Sequence, residues 1–398
     1  MASGDITQLS TVREFQTFYA NDVSMATYDD SNMLMVYAGP SNRGQVQMFE
    51  CNSPVYTMTA VGTKLQLSVD DGLDSACSVM TSSKALVAWR DNVSSDRRGV
   101  AMAVDIDASK NITAAGTRVT FATSINTSSL HRMAMVQITT YFYVAVYQDN
   151  TSDHSVKAAC LQVNNSTWAT TRTGTEQTLE AVGGSGDGVT AQRVDNSHII
   201  VFWQREDGKG VSQVFSVNPA TGAIAAIGTE LVFHNSTSSA MYFPTSGSLG
   251  SDKFVAWWFS GISTAAKGRV FSVNTGTYAV TFAGAEYNVN TTGTGGYNLS
   301  NVVYDTNKVA LYWKTSSGLG VGKMQTYKID GGTYAITTDS ALSPVTVEAT
   351  RFTRLGSAKL KDNYVCAGWS GADIDGFTRA YYIEPTTVTP STFLPQII

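Results

Sequence analysis

Histidines are the first residues to test for metal binding or acid–base catalysis, because both need side chains that converge in space. The chain has four histidines in unlike positions: His198 lies in a predicted hairpin turn, whereas His154 leads a predicted strand. The other two are His131 and His234. This pattern indicates no convergence, so we predict no metal site, no cofactor and no histidine-based catalysis.

Acidic side chains cluster in four short segments, a pattern that raises the question of calcium. The segments are residues 70–74, 91–96, 149–153 and 373–376. None has the spacing of an EF-hand loop, in which alternating Asp or Asn residues precede a glycine and a distal glutamate. Asp and Asn are also common in turns between strands. We therefore interpret the segments as solvated turns and keep a calcium site as the alternative.

Paired carboxylates could also hydrolyse glycosides. The Ser-x-Asp-x-Gly-x-Thr-Trp turn of sialidases does not occur, and its nearest counterpart, residues 94–99, lacks both the glycine spacing and the tryptophan. The chain also contains no Gly-x-Ser-x-Gly elbow and no phosphate-binding loop. We predict that the protein is not an enzyme, with a glycoside hydrolase as the alternative.

The four cysteines lie in or beside predicted strands of different repeats, and no two form a CxxC pair. We expect neither metal nor redox chemistry from them. Free cysteines are among the most buried residues in proteins. We predict free thiols, buried or partly buried, at Cys51, Cys77, Cys160 and Cys366.

Composition excludes several classes of partner. Charged residues make up 15% of the chain and the net charge is -5, so no basic surface is predicted to bind nucleic acid. No window approaches the roughly 18 apolar residues of a membrane-spanning helix. Residues 1–5 have neither a basic region nor an apolar region, so we predict no signal peptide and no membrane insertion.

The elements that position these residues repeat along the whole chain. A short strand, a polar turn and an apolar strand that ends in an aromatic residue occur seven times, at steps of 52 to 58 residues. We predict that the seven aromatic rings pack in the core between neighbouring repeats. They are Tyr37, Trp89, Tyr147, Trp203, Trp258, Trp313 and Trp369.

Each repeat continues with two further strands. The third alternates apolar and polar residues, and a Gly-Thr/Ala-x-apolar signature announces the fourth, as at Gly62, Gly116 and Gly228. The second strand is apolar on both faces, so sheets must cover it from both sides. Four short strands in a meander are typical of a β-propeller blade. The sequence therefore predicts an all-β, seven-bladed propeller of four-stranded antiparallel blades.

The two ends of the chain predict how the ring closes. The seventh repeat leaves little room for a fourth strand before Ile398, whereas residues 4–18 read as a strand with no repeat of their own. We predict that this N-terminal strand completes the last blade and removes the open sheet edge. The expected organisation is a single domain, 1–398, with residues 1–18 as the closing strand and repeats of about 55 residues from 19 to 398.

Two tryptophans lie outside the predicted aromatic ring. They are Trp168 and Trp257. Trp168 follows the polar loop 164–167 and is the better candidate for exposure. We therefore predict Trp168 as a candidate ligand-binding residue.

The hairpins at residues 193–201 and 303–310, with the glycine signature that follows, resemble repeats in tail-associated proteins of tailed bacteriophages. They are also similar in outline to seven-bladed lectin propellers. The resemblance implies a virion component of the tail, baseplate or fibre, assembled in the host cytoplasm. Its implied partners are other virion proteins and a host-surface glycan, and its implied role is host attachment or a structural subunit. A free carbohydrate-binding lectin is the alternative.

Overall fold

The computed structural model shows an all-β chain folded into seven four-stranded antiparallel blades, as predicted. In each blade the chain runs from an inner strand, through a second and a third, to an outer strand. The structure describes residues 5–8, 12–16, 21–52, 57–93, 96–125, 133–149, 154–181, 188–236, 241–250, 252–261, 266–289, 298–315, 320–339, 344–349, 352–371 and 375–384.

Blades 1 and 2 share one long strand, Thr57–Thr81, which is the outer strand of blade 1 and then the inner strand of blade 2. The other strands of blade 1 are Asn21–Thr27, Asn32–Ala38 and Arg43–Asn52. Those of blade 2 are Lys84–Val93, Asp96–Ile106 and an outer strand in two parts, Ile112–Ala114 and Val119–Ala122. Among the described residues, a 3-10 turn forms at Pro40–Asn42. The described part of the chain contains no helix with the length and apolar character needed to cross a membrane.

Blades 3 to 7 repeat the same order. Blade 3 consists of Ala134–Thr139, Phe142–Gln148, Val156–Val163 and Thr170–Glu180, and blade 4 of Val189–Asp195, His198–Gln204, Gly210–Val217 and Ile224–His234. In blades 5 and 6 the outer strand is again in two parts. Blade 5 consists of Met241–Gly250, Lys253–Ser260, Ala266–Val273 and an outer strand formed by Val280–Phe282 and Tyr287–Asn288. Blade 6 consists of Leu299–Asp305, Lys308–Lys314, Gly322–Ile329 and an outer strand formed by Ile336–Thr338 and Val345–Glu348. Blade 7 consists of Thr353–Lys361, Tyr364–Ser370 and Gly376–Ile383, with Ile6–Gln8 and Arg13–Gln16 on its outer edge.

The second strands are buried on both faces because each blade is covered by the blades on either side. Every residue of Asn32–Ala38, Phe142–Gln148 and Lys308–Lys314 is buried. The seven aromatic side chains of the predicted ring are each at most 1% exposed. Trp257, the second tryptophan outside that ring, is also buried and packs 4.9 Å from Tyr327 between blades 5 and 6.

Seven hydrophobic clusters fill the seven spaces between consecutive blades. Each cluster contains one aromatic of the ring, which packs against the preceding blade. They are Tyr37 between blades 7 and 1, Trp89 between 1 and 2, Tyr147 between 2 and 3, Trp203 between 3 and 4, Trp258 between 4 and 5, Trp313 between 5 and 6, and Trp369 between 6 and 7.

The inner strands carry small polar side chains that join neighbouring blades around the axis. Thr245 donates to Asn301 Oδ1 at 2.7 Å, and the hydroxyls of Ser300 and Ser357 lie 2.6 Å apart. The hydroxyls of Thr190 and Ser246 are hydrogen-bonded at 2.8 Å in the same way. These hydroxyl groups are therefore hydrogen-bonded near the axis, while the apolar groups pack further out.

The N-terminal segment closes the ring, as predicted. Ile6 to Gln8 and Arg13 to Gln16 pair antiparallel with the third strand of blade 7. The backbone N–H of Glu384 donates to the carbonyl of Asp5 at 3.0 Å. The predicted limits of this strand, residues 4 and 18, and the C-terminal residues 385–398 lie outside the described part of the chain.

Phe15 shows that the closing segment replaces an ordinary outer strand. In three other interfaces a phenylalanine in or after the outer strand of one blade packs on the ring aromatic of the next, with centroid separations of 4.9 to 5.9 Å. Phe15 makes the same contact with Tyr37 at 5.0 Å. The other three pairs are Phe121 with Tyr147, Phe233 with Trp258, and Phe352 with Trp369.

The substitution Trp203→Ala should lower the free energy of unfolding by about 3–5 kcal/mol, because it leaves a large cavity between blades 3 and 4. Chemical denaturation measures the change. Phe282→Ala is the control, since Phe282 is 37% exposed and should cost far less. Equal stability of the wild type and the Trp203 variant would contradict a core role for this ring.

Removal of residues 1–18 should cause aggregation or a large fall in Tm, because it opens blade 7 and exposes a sheet edge. A finer test compares Phe15→Ala with Glu14→Ala, its exposed neighbour in the same strand. The Phe15 variant should melt several degrees lower than the Glu14 variant. A truncated chain that stays soluble with an unchanged Tm would show that the segment does not close the ring.

Candidate functional site

The propeller has two ends that differ in their connections. The turn end carries the turns from inner to second strands and from third to outer strands. The loop end carries the connections from second to third strands and from one blade to the next. The described connections lie mostly at the turn end, and the geometry below concerns that end.

A four-residue turn recurs between the third and outer strands of blades 3 to 6. Its first residue, Asn or Asp, accepts hydrogen bonds from the backbone N–H groups two and three residues later, at 2.7 to 3.3 Å. The residue directly after these four has a left-handed backbone, with φ between 54° and 70°. In chain order, each first residue and the left-handed residue that belongs to it are Asn164 and Trp168, Asn218 and Gly222, Asn274 and Tyr278, and Asp330 and Tyr334.

The left-handed position is natural for glycine but costs an ordinary side chain about 1 kcal/mol. Three of the four turns nevertheless place an aromatic ring there, and each ring lies over the first residue of the second strand in the preceding blade. The distances are 4.7 Å from Lys84 Nζ to the Trp168 ring, 3.8 Å between the His198 and Tyr278 rings, and 5.3 Å from Lys253 Nζ to the Tyr334 ring. These contacts link neighbouring blades and offset the local strain.

Trp168, the candidate from the sequence, is half-buried in this arrangement. The ammonium group of Lys84 lies over its ring, and the ring of Tyr141 packs against it edge-on at 6.0 Å. A ligand that stacked on the face near Lys84 would have to displace that lysine.

His198 lies in a polar cluster at the turn end. Its Nδ1 lies 2.8 Å from both carboxylate oxygens of Asp195, and the Tyr278 hydroxyl donates to the same carboxylate at 3.3 Å. Burial acts to raise the pKa of Asp195, but hydrogen bonds from Ser197 and His198 outweigh it and lower the pKa. Ser197 Oγ also approaches Nδ1, at 3.1 Å. Since serine and aspartate meet the same imidazole nitrogen, the cluster does not have the geometry of a catalytic triad.

The other described histidines lie elsewhere. His154 precedes the third strand of blade 3, and His234 is buried at the end of the outer strand of blade 4. His131 lies outside the described residues. Among the residues that the structure describes, no three His, Cys, Asp or Glu side chains form a group that could hold a metal ion.

Three of the four acidic segments contain a carboxylate that differs from the prediction of solvated turns. Asp74, Asp91 and Asp149 are all buried. Each pairs with a basic side chain, with N–O distances of 2.5 Å to Arg90, 3.3 Å to Arg118 and 2.9 Å to Lys157. A buried carboxylate needs such a partner, because an unpaired one would be costly to desolvate. Asp153 and Asp373 lie outside the described residues.

The sequence predicted that the glycine signature begins the outer strand. In the structure these glycines lie instead within the outer strand or between its two parts. The reason is a close contact between blades. A Cβ at Gly62, Gly116, Gly228 or Gly284 would come within 2.1 to 2.7 Å of a backbone carbonyl oxygen in the next blade. That carbonyl belongs to the left-handed residue of the next blade's turn, namely Lys110, Trp168, Tyr278 and Tyr334.

One opening at the turn end lies where the first and last blades meet. We call it the seam pocket, with a volume of about 600 Å³. It is formed by the ends of the two inner strands and the turns that follow them. Its lining residues are Thr27, Asp30, Lys359, Leu360, Lys361, Asp362 and Tyr364.

The seam pocket combines charged groups with an aromatic ring. Lys359 Nζ donates to Asp362 at 2.7 Å, and this hydrogen bond is the main cause that lowers the pKa of Asp362. Lys361 Nζ lies 4.5 Å from the centroid of the half-buried Tyr364 ring. The Thr27 hydroxyl donates to the carbonyl of Lys359, which joins blade 1 to blade 7. Such a pocket offers hydrogen-bond donors and acceptors beside an aromatic surface.

A second polar pocket of about 420 Å³ opens at the same end on blade 5. It is lined by hydroxyl, amide and carboxylate side chains, among them Asp252, Asn274 and Thr277. The seam pocket differs from it by its two lysines and its tyrosine.

No protein-family profile matches the chain, and no curated protein matches it in sequence. Solved structures match its fold. The BP39L lectin from Burkholderia pseudomallei is 10% identical, with a TM-score of 0.59 over 92% of this chain and 97% of that one. A provisionally assigned 6-phosphogluconolactonase from Bacteroides fragilis NCTC 9343 is 12% identical, with a TM-score of 0.59 over 83% and 86% of the two chains.

A third similar structure is a hypothetical selenium-binding protein from Sulfolobus tokodaii, 7% identical, with a TM-score of 0.55 over 86% of this chain and 78% of that one. At such identities the likeness shows the fold alone, and folds of this kind host unrelated functions. The chain is thus a seven-bladed β-propeller with lectin-like and lactonase-like structural neighbours.

Gly284→Ala should lower the free energy of unfolding by roughly 1–3 kcal/mol, because the new methyl group would overlap the Tyr334 carbonyl oxygen. Gly331→Ala is the matched control, since the nearest atom to its Cβ is 3.6 Å away. Thermal denaturation of both variants measures the difference. Equal Tm values would show that blades 5 and 6 can separate locally at no cost.

Proposed function

We propose that this protein is a non-enzymatic carbohydrate-binding β-propeller that takes its ligand at the turn end. The observation that carries the proposal is the seam pocket, where lysine and aspartate side chains surround Tyr364. Sugars present hydroxyl groups that charged side chains recognise by hydrogen bonds, and C–H faces that pack on aromatic rings. The fold of a bacterial lectin supports the proposal at the level of architecture.

We further propose that the protein acts on a virion, as a tail, baseplate or fibre component, and that its glycan belongs to the host surface. The support is the resemblance of its hairpin repeats to those of phage tail-associated proteins. Under this proposal the loop end is available for neighbouring virion subunits, while the turn end faces the host.

A glycan array should identify at least one oligosaccharide bound by the full chain. For that oligosaccharide, Tyr364→Ala should weaken binding about tenfold, the loss of roughly 1.4 kcal/mol expected for one aromatic contact. Phe282→Ala is the control, because it removes an exposed aromatic ring outside the pocket. Isothermal titration calorimetry measures both affinities.

Trp168→Ala belongs in the same series as the test of the candidate from the sequence. Weaker binding by the Trp168 variant with unchanged binding by the Tyr364 variant would place the ligand elsewhere on the turn end and refute the seam pocket. Absence of any glycan ligand would refute carbohydrate binding. Release of products from the glycan or hydrolysis of a sugar lactone would favour an enzyme instead.

A further inference from the structure

Two of the four cysteines meet in the seam between the first and last blades. Cys51 lies near the end of the third strand of blade 1, and Cys366 lies in the second strand of blade 7. They are 4% and 0% exposed and belong to the same hydrophobic cluster as Tyr37. Cys77 and Cys160 pack in two other interfaces, between blades 1 and 2 and between blades 3 and 4.

The contacts of this pair bring three sulfur atoms together. The side chains of Cys51 and Cys366 pack in the same cluster from opposite sides of the seam. Cys366 Sγ also lies 3.6 Å from Sδ of Met58, and Met58 is the cross-strand partner of Cys51. The two thiols therefore lie close together across the seam, on either side of Met58, although they lie more than 300 positions apart in the sequence.

The two thiols differ in their surroundings. Interaction with the Cys366 thiol lowers the pKa of Cys51, an effect that burial opposes and the charge of Lys361 supports. The same interaction, together with burial, raises the pKa of Cys366. Cys51 is 4% exposed and Cys366 is fully buried, so a peroxide reaches Cys51 first. Lys361 also lines the seam pocket, which opens between the same two blades.

We propose that Cys51 and Cys366 are a redox modification site whose disulfide covalently closes the propeller at the seam. The oxidant is a hydroperoxide, represented by hydrogen peroxide. The Cys51 thiolate attacks one peroxide oxygen, the O–O bond breaks, and a sulfenic acid and hydroxide form. Cys366 then attacks Sγ of Cys51, the S–O bond breaks, and water leaves. In total two thiols are oxidised and one hydrogen peroxide is reduced to two waters.

The proposed disulfide has a defined effect on the fold. Hydrogen bonds and packing alone close the ring in the reduced state, so local separation of blades 7 and 1 is the route by which it opens. A disulfide between Cys51 and Cys366 would close a loop of most of the chain, and long loops gain the most from cross-linking. Oxidation should therefore stabilise the ring. The inference is independent of the proposed glycan.

The experiment treats the reduced full chain with hydrogen peroxide, blocks the remaining thiols with an alkylating reagent and maps peptides by mass spectrometry. The oxidised chain should carry two fewer alkyl groups and a linked peptide pair that contains Cys51 and Cys366, reversed by dithiothreitol. Its Tm should exceed that of the reduced chain by roughly 5 °C. Cys51→Ala and Cys366→Ala should abolish the link and the Tm increase.

Cys160→Ala is the matched control, because it removes an equally buried thiol from another interface and should leave the link intact. Cys77→Ala should also leave it intact. Sulfinic or sulfonic acids without a linked peptide would overturn the proposal. So would a link that persists in the Cys366 variant, or an oxidised wild type whose Tm equals that of the reduced chain.

Discussion

The fold depends on the packing of each blade's second strand against the blade before it. That strand is apolar on both faces, so no blade can bury its own core and every interface needs a neighbour. The seven ring aromatics occupy these interfaces one by one, and none is more than 1% exposed. A ring satisfies this requirement for all seven blades at once, whereas an open row would leave two second strands exposed at its ends.

Closure makes one interface unlike the others. Six interfaces join blades that follow each other in the chain, whereas the seventh joins blade 7 to blade 1 and uses the N-terminal segment as an outer strand. At this interface Phe15 packs on the ring aromatic of blade 1, as Phe121, Phe233 and Phe352 pack on ring aromatics at three other interfaces. The seam also carries the seam pocket and the thiol pair.

The features that repeat along the chain could be predicted from the sequence. Tyr37, Trp89 and their counterparts recur at a regular step, and the strand missing from blade 7 matches the spare strand at the N-terminus. The recurring turn from Asn274 to Tyr278 was equally visible as an Asn/Asp-x-x-Thr motif with an aromatic or glycine after it. The structural role of this turn could not be predicted, because the left-handed backbone and the contact with the preceding blade are visible only in the structure.

Features that bring distant residues together could not be predicted. Asp74 and Arg90 lie in adjacent strands and bury their charges together, whereas the sequence indicated a solvated turn. The sequence around Lys359 and Asp362 indicates an ordinary hairpin. The pocket forms because Thr27 and Asp30, from the other end of the chain, lie beside that hairpin in the folded protein. For the same reason, the proximity of Cys51 and Cys366 could not be predicted. Regular spacing in the sequence reveals repeated elements, but the interface between the first and last blades occurs once and leaves no repeated pattern.

Native-state hydrogen exchange of the reduced chain tests the closed ring most directly. The backbone N–H groups that join Gly376–Ile383 to the N-terminal segment should exchange about as slowly as those that join Gly322–Ile329 to its outer strand in blade 6. Such protection would show that the seam opens no more readily than an interface between consecutive blades. Exchange at the rate of an exposed sheet edge, with blade 6 still protected, would contradict the account.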